Sequence, residues 1–181
     1  MPEPGRLHIK KLLRNTVLVL LAVVAVFLIM RTTTGIRDRD VAEALMKVNP
    51  HMTVYSLTGD TADIRTLGGG KPFIVVYFSP DCEYCQDEAT RLREHLEEFG
   101  GTGIVMLSLE NREATVQFSR DYKLGGQSGV QFYLDARHQF PVSFGTHGYP
   151  VVLVYNQAGQ LTRIFQGETG TKEILRAVRG G

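Results

Sequence analysis

The sequence predicts a three-layer α/β domain with a central mixed β-sheet, preceded by one N-terminal transmembrane helix. Strand-like and helix-like patterns alternate from residue 52 onward, as they do where helices cover a sheet. The run Phe73-Ile74-Val75-Val76-Tyr77-Phe78 is apolar throughout, as a strand buried on both faces must be. An uncharged stretch from Asn15 to Met30 follows a basic N-terminus.

The stretch from Asn15 to Met30 runs 16 residues, against the roughly 20 of an ordinary spanning helix. Lys10, Lys11, Arg14 and Arg31 flank it and can snorkel toward headgroups to cover the shortfall. Arg6, Lys10, Lys11 and Arg14 precede it, opposed only by Glu3, so the positive-inside rule puts the N-terminus in the cytoplasm. The expected organisation is a basic cytoplasmic segment over 1–14, a signal anchor over 15–31, a linker and short helix over 32–50, and the α/β domain over 51–181. The α/β domain would then stand on the extracytoplasmic side of the membrane, which in a bacterial cell is the periplasmic side. A cleaved signal peptide would give the same compartment, although the bulky Phe27-Leu28-Ile29-Met30 offers no small-residue cleavage site. A buried helix of a soluble protein is the remaining alternative.

Composition fits one folded domain plus a short extra segment. Hydrophobic residues make up 43% and charged residues 22%, which is globular rather than disordered. A domain of about 140 residues buries roughly two-thirds of its unfolded surface and needs no disulfide staple. Lys and Arg number 20 against 19 Asp and Glu, a balance that argues against a nucleic-acid partner.

Within the domain, Asp38, Asp40 and Glu43 lead into a short amphipathic helix closed by Pro50. Met52 to Leu57 reads as a strand with a turn at Gly59-Asp60, and Gly68-Gly69-Gly70 and Pro72 punctuate the entry to Phe73–Phe78. Cys82 to Phe99 carries Ala89, Leu92, Leu96 and Phe99 at helical spacing, ended by Gly100-Gly101. Ile104 to Leu109 is a strand and Arg112 to Tyr122 a helix. Val130 to Leu134 is a short strand or part of an insertion, because Gly125 to Phe144 reads as an insertion near the substrate face. Val151 to Tyr155 and Leu161 to Phe165 form a hairpin around Asn156-Gln157-Ala158-Gly159, and Glu168 to Val178 is the last helix.

The chain has two cysteines, Cys82 and Cys85, too few for a disulfide framework or a Cys-only zinc site. No metal site and no cofactor are expected. The pair lies where a buried strand gives way to a helix, and two intervening residues set the second sulfur one turn into the helix beside the first. The first thiol would face unpaired helix N–H groups and the positive end of the helix dipole, which favour the attacking thiolate. Cys82 is therefore read as the nucleophile and Cys85 as the buried resolving thiol. The alternatives are a static disulfide, which would stabilise little in so short a loop, and half of a metal site in a homodimer. Tyr149-Pro150 stands directly before the strand Val151 to Tyr155. Beside the cysteine pair a cis bond is expected there, which would leave that backbone open to a partner peptide; an ordinary trans proline starting a strand is the alternative.

Tyr77-Phe78-Ser79-Pro80-Asp81-Cys82-Glu83-Tyr84-Cys85, followed by Gly148-Tyr149-Pro150, resembles the thioredoxin-like superfamily. Leu57-Thr58-Gly59-Asp60 through Ile64, then Lys71-Pro72-Phe73, is similar to its TlpA/ResA-like membrane-anchored branch. The resemblance implies a thiol–disulfide oxidoreductase acting on disulfide-containing exported proteins, apocytochrome c among the candidates, and re-reduced by a membrane thiol electron donor. It places Glu88 where that branch carries a glutamate, one helical turn beyond Cys85 and positioned to exchange its proton; a solvated helix glutamate is the alternative. Val76 stands where cytoplasmic thioredoxins hold a buried aspartate. Asp81, Tyr84 and Thr90 replace the usual tryptophan, inter-cysteine proline and helix-kinking proline.

Asp81 and Glu83 put negative charge on both sides of Cys82, which opposes thiolate formation and points to a reductase rather than a strong oxidant. Tyr84, Tyr149, Pro150 and His147 are expected at the substrate-binding surface; a loop histidine without a role is the alternative for His147. A peroxiredoxin-like peroxidase is a second enzymatic reading, disfavoured because Pro80 occupies the place expected for its Thr or Ser. A thioredoxin-fold binding module with a locked disulfide is a non-enzymatic one.

Overall fold

A computed structural model describes residues 15–27, 41–146 and 148–180, in two compact units divided at residues 41 and 42. In the first unit residues 15–27 form a helix whose side chains are all exposed, Val17, Leu20 and Phe27 among them. No helix among the described residues is long and apolar enough to cross a membrane. The basic segment over 1–14, the last positions of the expected anchor and most of the linker lie outside the described residues.

The second unit is built on a seven-stranded sheet. Its strands are β1 (Thr53–Ser56), β2 (Thr61–Asp63), β3 (Phe73–Phe78), β4 (Gly103–Ser108), β5 (Val130–Leu134), β6 (Val151–Tyr155) and β7 (Leu161–Gln166), in the order β2-β1-β5-β4-β3-β6-β7. β3, β4 and β5 run parallel, while β1, β2, β6 and β7 pair antiparallel to their neighbours, so the sheet is mixed. The helices are α1 (Glu83–Glu94), α2 (Arg112–Asp121), α3 (Phe140–Phe144) and α4 (Thr171–Arg179), with a further helix over 41–48.

All six residues of β3 are buried. Phe73, Val75 and Tyr77 face a cluster with Met52, Ile64, Phe140 and Phe144. Ile74, Val76 and Phe78 face the opposite cluster with Cys85, Ala89, Leu92, Phe118 and Ile174. Successive strand residues point to opposite faces, so this one segment needs a helical layer on each side. The resulting three layers put α1, α2 and α4 on one face, and α3 with the 3-10 turn Ile64–Thr66 on the other.

Four elements differ from the sequence reading. The helix expected to reach Phe99 stops at Glu94, where His95 adopts φ −106° and ψ 16°. A 3-10 turn, Leu96–Phe99, follows. Its three-residue period stacks Leu96 and Phe99 on one side, where both meet the core. The stretch Gly125 to Phe144 is not an insertion beside the sheet, because β5 lies within it, parallel to β4 and antiparallel to β1. Its last residues form α3, which buries Phe140 and Phe144. β2 is an extra edge strand of three residues, held to β1 by its backbone. The last helix starts at Thr171, after an extended Gly170, rather than at Glu168.

The β6–β7 hairpin is fastened to the rest of the fold at its tip. Asn156 Oδ1 accepts from the amides of Ala158 and Gln160, each at 3.0 Å. Asn49 Nδ2 donates to the Gly159 carbonyl at 3.0 Å, and its Oδ1 accepts from the Leu161 amide at 2.9 Å. Gly159 has φ +73°, and a Cβ there would lie 2.4 Å from the Arg65 carbonyl oxygen. Gly159→Ala is therefore expected to lose about 2 kcal/mol or more of stability, from left-handed strain and the backbone clash. Asn49→Ala is expected to lose about 1–3 kcal/mol with two part-buried hydrogen bonds. Urea unfolding of each variant measures both.

Candidate active site

The site forms where β3 ends. After Phe78 the chain turns through Ser79-Pro80-Asp81, and the Cys82 amide bonds to the Ser79 carbonyl at 3.2 Å. Gln86 Nε2 holds the Pro80 carbonyl at 2.9 Å and fixes the turn to α1. Cys82 is the N-cap of α1, with extended backbone at φ −88° and ψ 116°, but its side chain makes no capping hydrogen bond. The expected contact between the thiol and the helix N–H groups is therefore absent as a hydrogen bond. What remains is proximity to the positive helix end.

Besides Cys85, the sulfur has a partner from the residues that lead into a strand distant in sequence. β6 runs antiparallel to β3 with Val151 opposite Tyr77, so the residues entering β6 stand beside the end of β3. Cys82 Sγ lies 4.0 Å from the Tyr149 carbonyl oxygen, a weak S–H···O contact. The Tyr149-Pro150 bond is cis. Pro150 is buried, and its carbonyl accepts from the Gly167 amide at 2.8 Å. The Tyr149 ring meets Tyr77 at 5.5 Å between centroids, while 38% of the residue stays exposed. Tyr84 is 61% exposed, on the solvent side of α1, and Asp81 and Glu83 are exposed as well. His147 lies outside the described residues.

Both cysteines are free thiols; Cys82 is partly exposed and Cys85 buried. Burial pushes the Cys85 thiol well above the ordinary thiol range. Contact with Cys82 and the Glu88 charge add to the rise, and the Ser79 amide opposes it.

Glu88 has no exposed surface, which excludes a solvated glutamate. Its Oε2 accepts from Arg91 Nη2 at 2.9 Å, while Oε1 is buried without a hydrogen-bond partner. Burial raises its proton affinity above the usual carboxylate range; Arg91 opposes this most strongly, and the Thr169 amide adds a weaker pull without closing a hydrogen bond. Val76 is buried in the same cluster as Cys85. Glu88 is thus the carboxylate whose charge reaches the inner thiol.

Sequence reasoning missed Arg91 and Glu168. Arg91 Nη1 bonds Glu168 Oε1 at 2.7 Å, joining α1 to the loop ahead of α4. The three-residue spacing of Glu88 and Arg91 places them on one helix face and could have revealed that pair. Nothing local marks Glu168. Among the described residues no group of three His, Cys, Asp or Glu side chains is set to hold a metal ion.

Residues 46–164 match the family model described as the AhpC/TSA family. No curated protein sequence matches the chain. Solved structures share the fold. Mycobacterium tuberculosis DsbF superposes with a TM-score of 0.61 at 19% identity, covering 73% of this chain and 96% of its own. A secreted M. tuberculosis disulfide oxidoreductase homologous to E. coli DsbE gives 0.56 at 20% identity, over 72% and 96%. The peroxidoxin BcpB from M. tuberculosis gives 0.61 at 15% identity, over 72% and 92%.

The two thiols differ in access, so iodoacetamide at neutral pH should label Cys82 alone in the folded, reduced chain and both cysteines in urea; mass spectrometry of the labelled peptides distinguishes them. The raised Cys85 pKa also carries a stability sign. The folded state keeps its proton at a pH where the unfolded thiol loses it, so this contribution is complete below the unfolded pKa, about 8.5. It declines as pH rises above that value. Between about pH 8.5 and 10, the reduced wild type should lose stability faster than Cys85→Ala in parallel denaturation series.

Proposed function

The chain belongs to the AhpC/TSA family, and on that premise we propose that it is a membrane-anchored thiol–disulfide oxidoreductase that reduces disulfides of exported proteins through Cys82 and Cys85. The observation that carries this reading is the pairing of a solvent-reachable Cys82 sulfur, 4.0 Å from the Tyr149 carbonyl, with a fully buried second thiol one helical turn behind it. A structural disulfide has no need of that difference in access; a two-step exchange does.

In the forward direction the Cys82 thiolate attacks one sulfur of a substrate disulfide. The S–S bond breaks, one substrate sulfur leaves as a thiolate and takes a proton, and a mixed disulfide remains. Cys85 then gives its proton to Glu88 and attacks Cys82 Sγ. The second substrate sulfur leaves, and Cys82 and Cys85 end as a disulfide, having passed two electrons to the substrate. A membrane thiol donor restores the dithiol. The polypeptide substrate lies along the open backbone of Tyr149 and over the exposed rings of Tyr149 and Tyr84, with Pro150 beneath.

The charge around the nucleophile supports the reducing direction. Asp81 and Glu83 are exposed on both sides of Cys82, and negative charge flanking the pair is what a reductase rather than a strong oxidant is expected to carry. The anchor is supported by the helix over 15–27, which presents Val17, Leu18, Leu20, Leu21, Val24 and Phe27 on all sides, an arrangement suited to lipid rather than water. Positive charge ahead of it supports an extracytoplasmic domain.

A peroxidase is the second reading, favoured by the family and by the fold shared with BcpB. Against it, no arginine among the described residues hydrogen-bonds Cys82, and Arg91 is engaged by Glu88 and Glu168.

The full chain in detergent should reduce insulin with dithiothreitol as donor. Cys82→Ser should abolish the activity, and Cys85→Ser should accumulate mixed disulfides with exported proteins. Peroxide consumption without insulin reduction would instead establish the peroxidase. In a glutathione redox titration the potential should fall well below the roughly −120 mV of a strong oxidant such as DsbA, and Asp81→Asn with Glu83→Gln should raise it.

A further inference from the structure

Glu88 sits in an arrangement that a purely structural ion pair does not require. The carboxylate is completely buried, yet only Oε2 is held, by Arg91 Nη2 at 2.9 Å. Oε1 is buried without a partner, as is Arg91 Nε. Buried polar atoms are nearly always paired, and leaving a carboxylate oxygen bare in the interior is costly. Arg91 is also divided between two acids. Its Nη1 reaches Glu168 Oε1 at 2.7 Å, and Glu168 is half exposed, on the loop between β7 and α4.

We infer that Arg91 and Glu168 are positioning residues for the exchange step: Arg91, shared between them, pins one oxygen of Glu88 and leaves the other free to take the Cys85 proton, while Glu168 governs how firmly Arg91 holds Glu88. The inference rests on the thiol-exchange reading above and extends it to two residues that never touch substrate.

The groups acting on Glu88 come from two elements. From α1 they are Cys85 and Arg91; from the loop ahead of α4 they are Glu168 and the Thr169 amide. Arg91 favours the ionised carboxylate. Glu168 opposes ionisation by its own charge and by competing for the guanidinium. The two residues therefore pull Glu88 in opposite directions. A base too firmly held in its ionised form accepts a proton poorly, and one held too weakly is already protonated at working pH. Sharing Arg91 sets Glu88 between these limits.

The test follows the Glu88 carboxyl by carbon-13 NMR across pH in the reduced full chain, beside the pH profile of mixed-disulfide resolution by Cys85. Glu168→Gln alters a half-exposed residue and should fold. It should lower the Glu88 midpoint, and the acid limb of the rate profile with it, by at least about half a unit. Arg91→Gln should raise both. Arg91→Lys, which keeps the charge without the fork, should fall between Arg91→Gln and wild type. If Arg91→Gln fails to fold, Glu168→Gln alone decides the matter. A Glu88 midpoint unmoved or raised in Glu168→Gln overturns the inference, whatever the activity. Both expected NMR shifts in the variants, beside a wild-type chain that exchanges no disulfides, would instead refute the function proposed above and leave the electrostatic linkage standing.

Discussion

The rest of the structure depends on the complete burial of β3. A strand with six buried residues and no solvent face must be covered on both sides and paired on both edges. Helices supply the cover, and β4 and β6 supply the edges. Where such a strand ends, its covering helix begins, and the chain between them surfaces as a tight turn. Cys82 stands at that turn, and Cys85 is the first residue of α1 to enter the core. The difference in access between the two thiols thus follows from the burial of the strand that leads to them.

That burial also sets the electrostatics. The interior face of α1 is apolar, with Ala89 and Leu92 beside Cys85, so charges there are screened little. A lone carboxylate at Glu88 would be expensive to ionise. Arg91 makes ionisation accessible without saturating the group. Val76, in the same buried cluster as Cys85, offers no carboxylate. The carboxylate whose charge reaches the inner thiol therefore stands on the helix rather than on the strand beneath it.

How far each feature could be read from sequence depends on how local its cause is. The strand Phe73–Phe78 was legible because its apolar run is its own signal, and the turn to α1 because the cysteine spacing falls at its end. The hairpin Val151–Gln166 was legible from the Asn156–Gly159 turn. β5 was ambiguous: Val-Gln-Phe-Tyr-Leu is short, with Gln131 breaking its apolar run, and it follows a Gly- and Gln-rich stretch that resembles a loop. Pairing with β1 and β4 settles it as a strand. β2, Thr-Ala-Asp, carries no strand signal and forms because β1 offers it an edge. The break at His95 is tertiary too, since the period changes there to bring Leu96 and Phe99 into the core.

The sequence by itself determined the kind of domain, the cysteine pair at the strand-to-helix turn, which of its thiols is reachable and which buried, and the glutamate one turn behind, because all of these lie within one strand, one turn and one helix. Only the tertiary structure decided what meets them. The Tyr149 carbonyl reaches Cys82 across 67 positions, and Glu168 reaches Arg91 across 77. Those contacts follow from the antiparallel register of β6 against β3 and from the path of the chain out of β7. Strand register is fixed by which faces become buried once all the layers assemble, and no local pattern carries that information.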